Sequence, residues 1–164
     1  MNERLKEITV NGASYSFHFE KEANTWLVLE NISLIGTYDV DLKIEVEHTG
    51  EAINWNEITG FIDFITGSSK QVNEQLDDAK FVLETFFKAT HKKYYSDAFL
   101  KDVIFEPSGI TYKGCYKAGD QKNVFGYSFL YFPYYAHWGE DLGSSSWEVN
   151  FRGDQLLNVQ YNLQ

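Results

Sequence analysis

The sequence predicts an α+β fold, and three features of its patterning carry that expectation. Apolar residues alternate with period two as far as His48, recur at helical spacing from Asn54 to Thr90, and alternate again from Asp102 onward. Segments in the order strands, helices, strands assemble as antiparallel sheet with helices against it. The expected architecture is therefore largely antiparallel β-sheets, made of N-terminal strands and a C-terminal β-meander, with two consecutive central helices packed on one sheet face.

Each element has its own local reason. Ile8 and Val10 lead into Asn11-Gly12, after which Tyr15, Phe17 and Phe19 alternate with Ser14, Ser16, His18 and Glu20. Asn-Gly between alternating runs marks a hairpin, because both residues accept the positive φ of a type I′ turn. Thr25 to Ile35 reads as one further strand with a bend. From Asp39 to His48 the alternation is clean: Val40, Leu42, Ile44 and Val46 point one way, and Asp39, Asp41, Lys43, Glu45 and Glu47 the other.

The period then changes. Asn54 with Glu57 has the spacing of an N-cap and its capping-box partner, and Ile58, Phe61, Ile62 and Ile65 follow at i, i+3, i+4, i+7 before Gly67. A second, longer helix opens at Ser68-Ser69, with Val72, Leu76, Ala79, Leu83, Phe86 and Thr90 as its apolar stripe. His91, Lys92 and Lys93 suit the negative end of its dipole. Beyond it, five short strands are expected at Val103 to Glu106, Ile110 to Tyr116, Val124 to Phe132, Ser146 to Phe151 and Leu156 to Leu163. Pro107-Ser108-Gly109 separates the first two, and a long loop from Pro133 to Ser145 precedes the last two. Asn158, Gln160 and Asn162 place one side of this sheet in water. No composition break or repeat divides the chain, so residues 1–164 are expected to form a single α+β domain.

Composition then narrows function. Of the 164 residues 17% are aromatic, and 24 acids against 14 bases give a formal net charge of −10. Such an excess repels phosphate backbones and anionic lipid, so nucleic acid and membranes are not expected partners. The single cysteine, Cys115, forms no internal disulfide, and the expected compartment is cytoplasmic.

Catalytic signatures are absent. The chain has neither GxxxxGK[ST] nor GxGxxG after a strand, no Gly-x-Ser-x-Gly elbow, and no closely spaced His or Cys pair of the kind zinc requires. No catalytic residue, cofactor or metal is assigned. His137 with Glu140 is the closest acid–base pair, and Cys115, read on the strand face of Thr111, Lys113 and Lys117, is the one thiol; a solvated loop and a passive strand residue account for them more simply.

Two surfaces remain as candidates. The acids Asp39, Asp41, Glu45 and Glu47 share one strand face; simple solvation is the ordinary account, and a basic protein partner the functional one. A straight strand does not wrap a calcium ion. Tyr134, Tyr135, Trp138, Glu140 and Asp141 form an aromatic and acidic stretch whose rings either cap the core or meet a partner. The reading that follows is a non-catalytic cytoplasmic binding protein, of inhibitor or immunity type, that masks a basic protein partner through an acidic and aromatic surface. The alternative is a small-molecule binding protein or small hydrolase with an aromatic-lined pocket between sheet and helices.

Overall fold

A computed structural model describes residues 5–28, 32–34, 40–47, 53–119, 122–135, 140–141 and 145–163 of the chain. Side chains at 32–34, 40–43, 47, 69, 135, 140–141, 145 and 163 lie outside that description. Strands β1 (Leu5–Val10) and β2 (Ala13–Glu20) form the expected hairpin, with Asn11 and Gly12 at φ 51° and 81°. The expected bent strand is two strands, β3 (Thr25–Val28) and β4 (Ile32–Leu34), and both pair antiparallel with β5 (Val40–Glu47).

Helix α1 (Trp55–Gly67) starts where the capping signal places it. Asn54 Oδ1 accepts from the Asn56 N–H at 3.2 Å, and its amide donates to Glu57 Oε1 at 3.0 Å. Helix α2 (Ser69–His91) follows after one residue, and a short α3 (Asp97–Lys101), capped by Ser96, was not anticipated. Together the helices carry the chain from β5 to β6 (Val103–Lys117), which lies parallel to β5. Every other pairing in the sheet is antiparallel. The C-terminal meander continues with β7 (Asn123–Tyr135), β8 (Glu140–Asp141), β9 (Ser145–Arg152) and β10 (Gln155–Leu163), and the sheet order is β1-β2-β3-β5-β6-β7-β9-β10.

Two expected breaks are not breaks. Pro107-Ser108-Gly109 lies inside β6, where the register against β7 slips by one residue. A bulge accommodates proline because one residue there is excused from the ladder, so the strand bends and continues. Pro133 to Tyr135 likewise belong to β7. Pro133 falls between the stretch paired to β9, which ends at Tyr131, and the stretch paired to β8, which begins at Tyr134, and there a missing N–H costs little.

The helices seal one face of the sheet. Ile8, Val10, Phe17, Val28, Ile44, Val46, Ile110, Phe125, Tyr127, Phe129, Tyr131, Val149 and Phe151 are buried beneath Ile58, Phe61, Ile62, Ile65, Val72, Leu76, Ala79 and Leu83. Rings fill the interval between the layers: Phe61 meets Tyr112, Phe125 and Tyr127 at centroid distances of 5.2, 5.6 and 5.8 Å. Two buried hydroxyls tie α2 down. Tyr131 donates to the Leu76 carbonyl at 2.9 Å, and Tyr127 donates to Gln75 Oε1, whose amide donates to the Gly153 carbonyl at 2.7 Å.

Two positions in the expected stripe of α2 are corrected: Phe86, and Thr90, which is exposed. Phe87, not Phe86, is the buried residue, while Phe86 is 50% exposed and leans edge-on against Trp147 at 5.6 Å. Phe86 sits on the flank of the stripe, about 60° from Leu83 at 100° per residue, so it covers the sheet's β9–β10 end. Leu83→Ala is therefore expected to cost about 2–5 kcal/mol in denaturant melts, and Phe86→Ala less than half of the Leu83 loss. Equal losses at the two positions would contradict this placement.

Candidate functional site

Among the described residues no helix covers the other sheet face, and register assigns its occupants. Ile44 and Val46 are buried toward the helices, so Glu45 projects to the open side, opposite Thr111 of β6 and Leu27 of β3. Thr111 faces Ser128, and Ser128 faces Asn150, which in turn faces Asn158. Polar residues therefore cross the whole C-terminal half of the sheet in rows. Tyr127, Phe129, Val149 and Phe151 alternate with them on the covered side.

At the centre of this face is a three-residue ionic group. Lys113 Nζ lies 2.9 Å from Glu148 Oε1, and the buried Ser128 hydroxyl donates to the same oxygen at 2.5 Å. Burial alone pushes the Glu148 carboxyl up. The hydrogen bonds from Ser128 and Lys113, the lysine's charge and a contact from Asn162 outweigh it and hold the group below its ordinary value. Glu148 is thus an ionised, occupied carboxylate and not a proton donor near neutrality.

Beside it, glycines shape a cation platform. Gly114 and Gly126 face each other across β6 and β7, next to the second β6 bulge, and Gly114 has φ 147°, which side-chain-bearing residues rarely adopt. The Tyr116 ring lies across this bare backbone: a Cβ on Gly126 would come within 2.9 Å of its Cε2. Arg152 stacks above the ring, its Cζ 4.4 Å from the centroid. A hollow of about 290 Å³ opens here, walled by Lys113, Tyr116, Asn150, Arg152, Asn158 and Gln160. Asn150 Nδ2 donates to Asn158 Oδ1 at 2.9 Å, fixing one wall. A guanidinium held flat and a row of carboxamides can grip planar polar groups and peptide bonds by hydrogen bonding.

The bulge also corrects the placement of Cys115. The register slip between Tyr112 and Gly114 turns Cys115 to the helix-covered side, opposite Phe125 and packed against the core, away from Thr111 and Lys113. Burial pushes its thiol up, with Glu57 adding to the effect and Lys117 opposing it. The thiol is therefore not activated. Burial and a 3.0 Å hydrogen bond to Glu57 likewise raise Tyr112, and burial raises Tyr127.

The other sequence-predicted residues are reached unevenly. Glu45 lies on the open face. Tyr134, half-buried, is in β7 opposite Ile104 and Asp141. Asp41 and Glu47 belong to β5, Tyr135 to β7, and Glu140 and Asp141 to β8, all with side chains outside the described residues; Asp39, His137 and Trp138 lie outside them altogether. Sequence reading passed over Lys113, Tyr116, Ser128, Glu148, Asn150 and Arg152. The alternation of Glu148, Asn150 and Arg152 with Trp147, Val149 and Phe151 was the available signal, whereas the β6 bulge concealed that Lys113 belongs with them.

Among the described residues no group of three His, Cys, Asp or Glu is placed to hold a metal ion, and no helix is long and apolar enough to cross a membrane. Comparison with protein-family models, with curated proteins and with solved structures finds no match to this chain.

Two measurements test the site's construction. A double-mutant cycle on Tyr116→Ala and Arg152→Ala should give a coupling of about 0.5–1 kcal/mol, and a coupling near zero would separate the ring from the guanidinium. For Glu148 the folded-state pKa is lowered, so its contribution is present above the unfolded value and is lost as pH falls through the folded one. The stability advantage of the parent over Glu148→Gln should therefore be full at neutral pH and vanish in acid below the ordinary carboxylate range. An advantage that grew on acidification would contradict the assignment.

Proposed function

We propose that this chain is a non-catalytic binding protein that masks a basic protein partner, and that the uncovered face of its sheet is the surface it presents. The observation that carries this reading is the asymmetry of the sheet: among the described residues one face is sealed by helices and rings, and the other is left without a helix and lined with polar side chains. Antiparallel sheets commonly keep one polar face in water, and such a face of ordered side chains is accessible for recognition. The charge that favours a basic partner is that of the chain as a whole, −10; on the face itself Lys113 is paired with Glu148, and the acid Glu45 on β5 is matched in count by the base Arg152 at the hollow.

Support for the non-catalytic part comes from the shifted groups. Among the described residues, Tyr112, Cys115 and Tyr127 are raised from values already above neutrality, and Glu148 is lowered from one already below it. General acid–base work asks for the opposite, a group moved toward the working pH. We place the protein in the cytoplasm, on the single free thiol.

The second reading, a small-molecule binding protein, has one observation in its favour, the hollow beside Tyr116. At about 290 Å³ it stands at the small end of ligand sites, and it lies on the open face, whereas the interval between sheet and helices is filled by rings.

The test is association rate against ionic strength, using the partner recovered from lysate at low salt and released at high salt. Asp41→Lys with Glu45→Lys should slow association about tenfold or more and flatten its salt dependence, in a variant whose melting profile shows it folded. Equal rates and equal salt slopes for parent and variant would remove the open face from the interface.

A further inference from the structure

The sheet ends in two edges, and they differ in kind. β1 is LKEITV, short and carrying Lys6 and Glu7, which is how proteins discourage a strand from adding to an edge. β10 is QLLNVQYNL, nine residues without a charge or a proline. Its one protective device is the bulge between Leu156 and Asn158; residues 158–163 run in regular register with β9 and, among the described residues, pair with nothing on their outer side. An apolar strip adjoins this edge on the helix side. Tyr161 and Phe86 are 48% and 50% exposed, and both rest against Trp147, at 4.7 and 5.6 Å between ring centroids.

We propose that β10 is a self-association edge: a second copy of this chain adds to it antiparallel, across a two-fold axis, and joins the two sheets into one. The strand is complementary to itself. In an antiparallel pair of identical strands centred on one residue, positions i+n and i−n face each other and lie on the same side of the sheet. Val159 and Tyr161 then meet their counterparts on the helix side. Asn158, Gln160 and Asn162 meet theirs on the open side, amide to amide. The strand's lack of charge permits the same occupant. Paired with itself it sets no like charges opposite each other, a basic partner gains nothing from an edge without acids, and the repulsion between two bodies of net charge −10 makes the association weak and strengthened by salt.

Size is sufficient for a weak dimer. Five residues at about 3.4 Å span roughly 17 Å, and the strip from the open face across the edge to α2 is roughly 25 Å high, giving about 425 Å² per copy. That is about 850 Å² in total, below the size of stable specific interfaces, so the dimer is weak, forms with concentration and is not obligate.

Sedimentation from about 1 to about 500 µM tests this, since mass action drives a weak dimer over that range. The parent should rise from the mass of one chain toward that of two. Tyr161→Lys, at a position 48% exposed, should stay monomeric throughout, and its melting profile reads the loss of the contact with Trp147 separately. In a second measurement, Val159→Cys, Gln160→Cys and Tyr161→Cys are oxidised singly in a Cys115→Ser background. The position nearest the axis should give a disulfide-linked dimer and the others less, because directly opposed strand residues fall within disulfide range. If the lysine variant melts early, the cysteine series decides. A parent that keeps the mass of one chain at every concentration, undiminished association in a folded lysine variant, or equal cross-linking at all three positions would overturn the proposal.

Discussion

The row of rings on β7 is the constraint on which the rest of the structure depends. Phe125, Tyr127, Phe129 and Tyr131 fall on one side of the central strand because side chains alternate, and all four are buried. Burying rings of this size removes a large apolar area from water, but it brings two hydroxyls into a dry layer, where each must find an acceptor. The acceptors come from α2: the Leu76 carbonyl for Tyr131 and the Gln75 side chain for Tyr127. The helix is thus fixed along its axis as well as pressed onto the sheet, and Gln75 extends the tie to the β9–β10 turn at Gly153.

That commitment of one face determines what the other can be. With the rings and helices on one side, residues in alternate positions of β6, β7, β9 and β10 fall on the other face, and the Lys113–Glu148–Ser128 group and the Tyr116–Arg152 stack are built from them. Gly126 makes the stack possible by leaving out the Cβ that would meet the Tyr116 ring, and Gly114 by adopting a φ of 147°. Local backbone choices in two neighbouring strands therefore shape a surface whose function we propose to be recognition.

Much of the fold was legible in the sequence because its signals are local. Asn11-Gly12 sets a turn by itself, Asn54 caps a helix by itself, and the spacing of Val72, Leu76, Ala79 and Leu83 defines a face without knowledge of what it meets. What escaped was decided by tertiary pairing. Pro107-Ser108-Gly109 carries turn chemistry, and only the long partner strand β7 turns it into a bulge. Phe86 and Phe87 are indistinguishable until the sheet shows which side of the helix it occupies. The candidate site suffered most, since the bulge after Tyr112 exchanges the faces of Lys113 and Cys115 relative to simple alternation. A charged residue read beside a thiol belongs instead beside a carboxylate two strands away.

Residue-resolved amide hydrogen exchange of the free protein tests the central claim most directly, that α2 and the β6–β7–β9 sheet are one cooperative unit joined by the Tyr127 and Tyr131 ties. The amides of α2 around Leu76 to Leu83 and those of central β7 should exchange only through global unfolding, with the same opening free energy and the same dependence on denaturant. Exchange of the α2 amides through a separate opening, lower in free energy and insensitive to denaturant while β7 remains protected, would contradict the account.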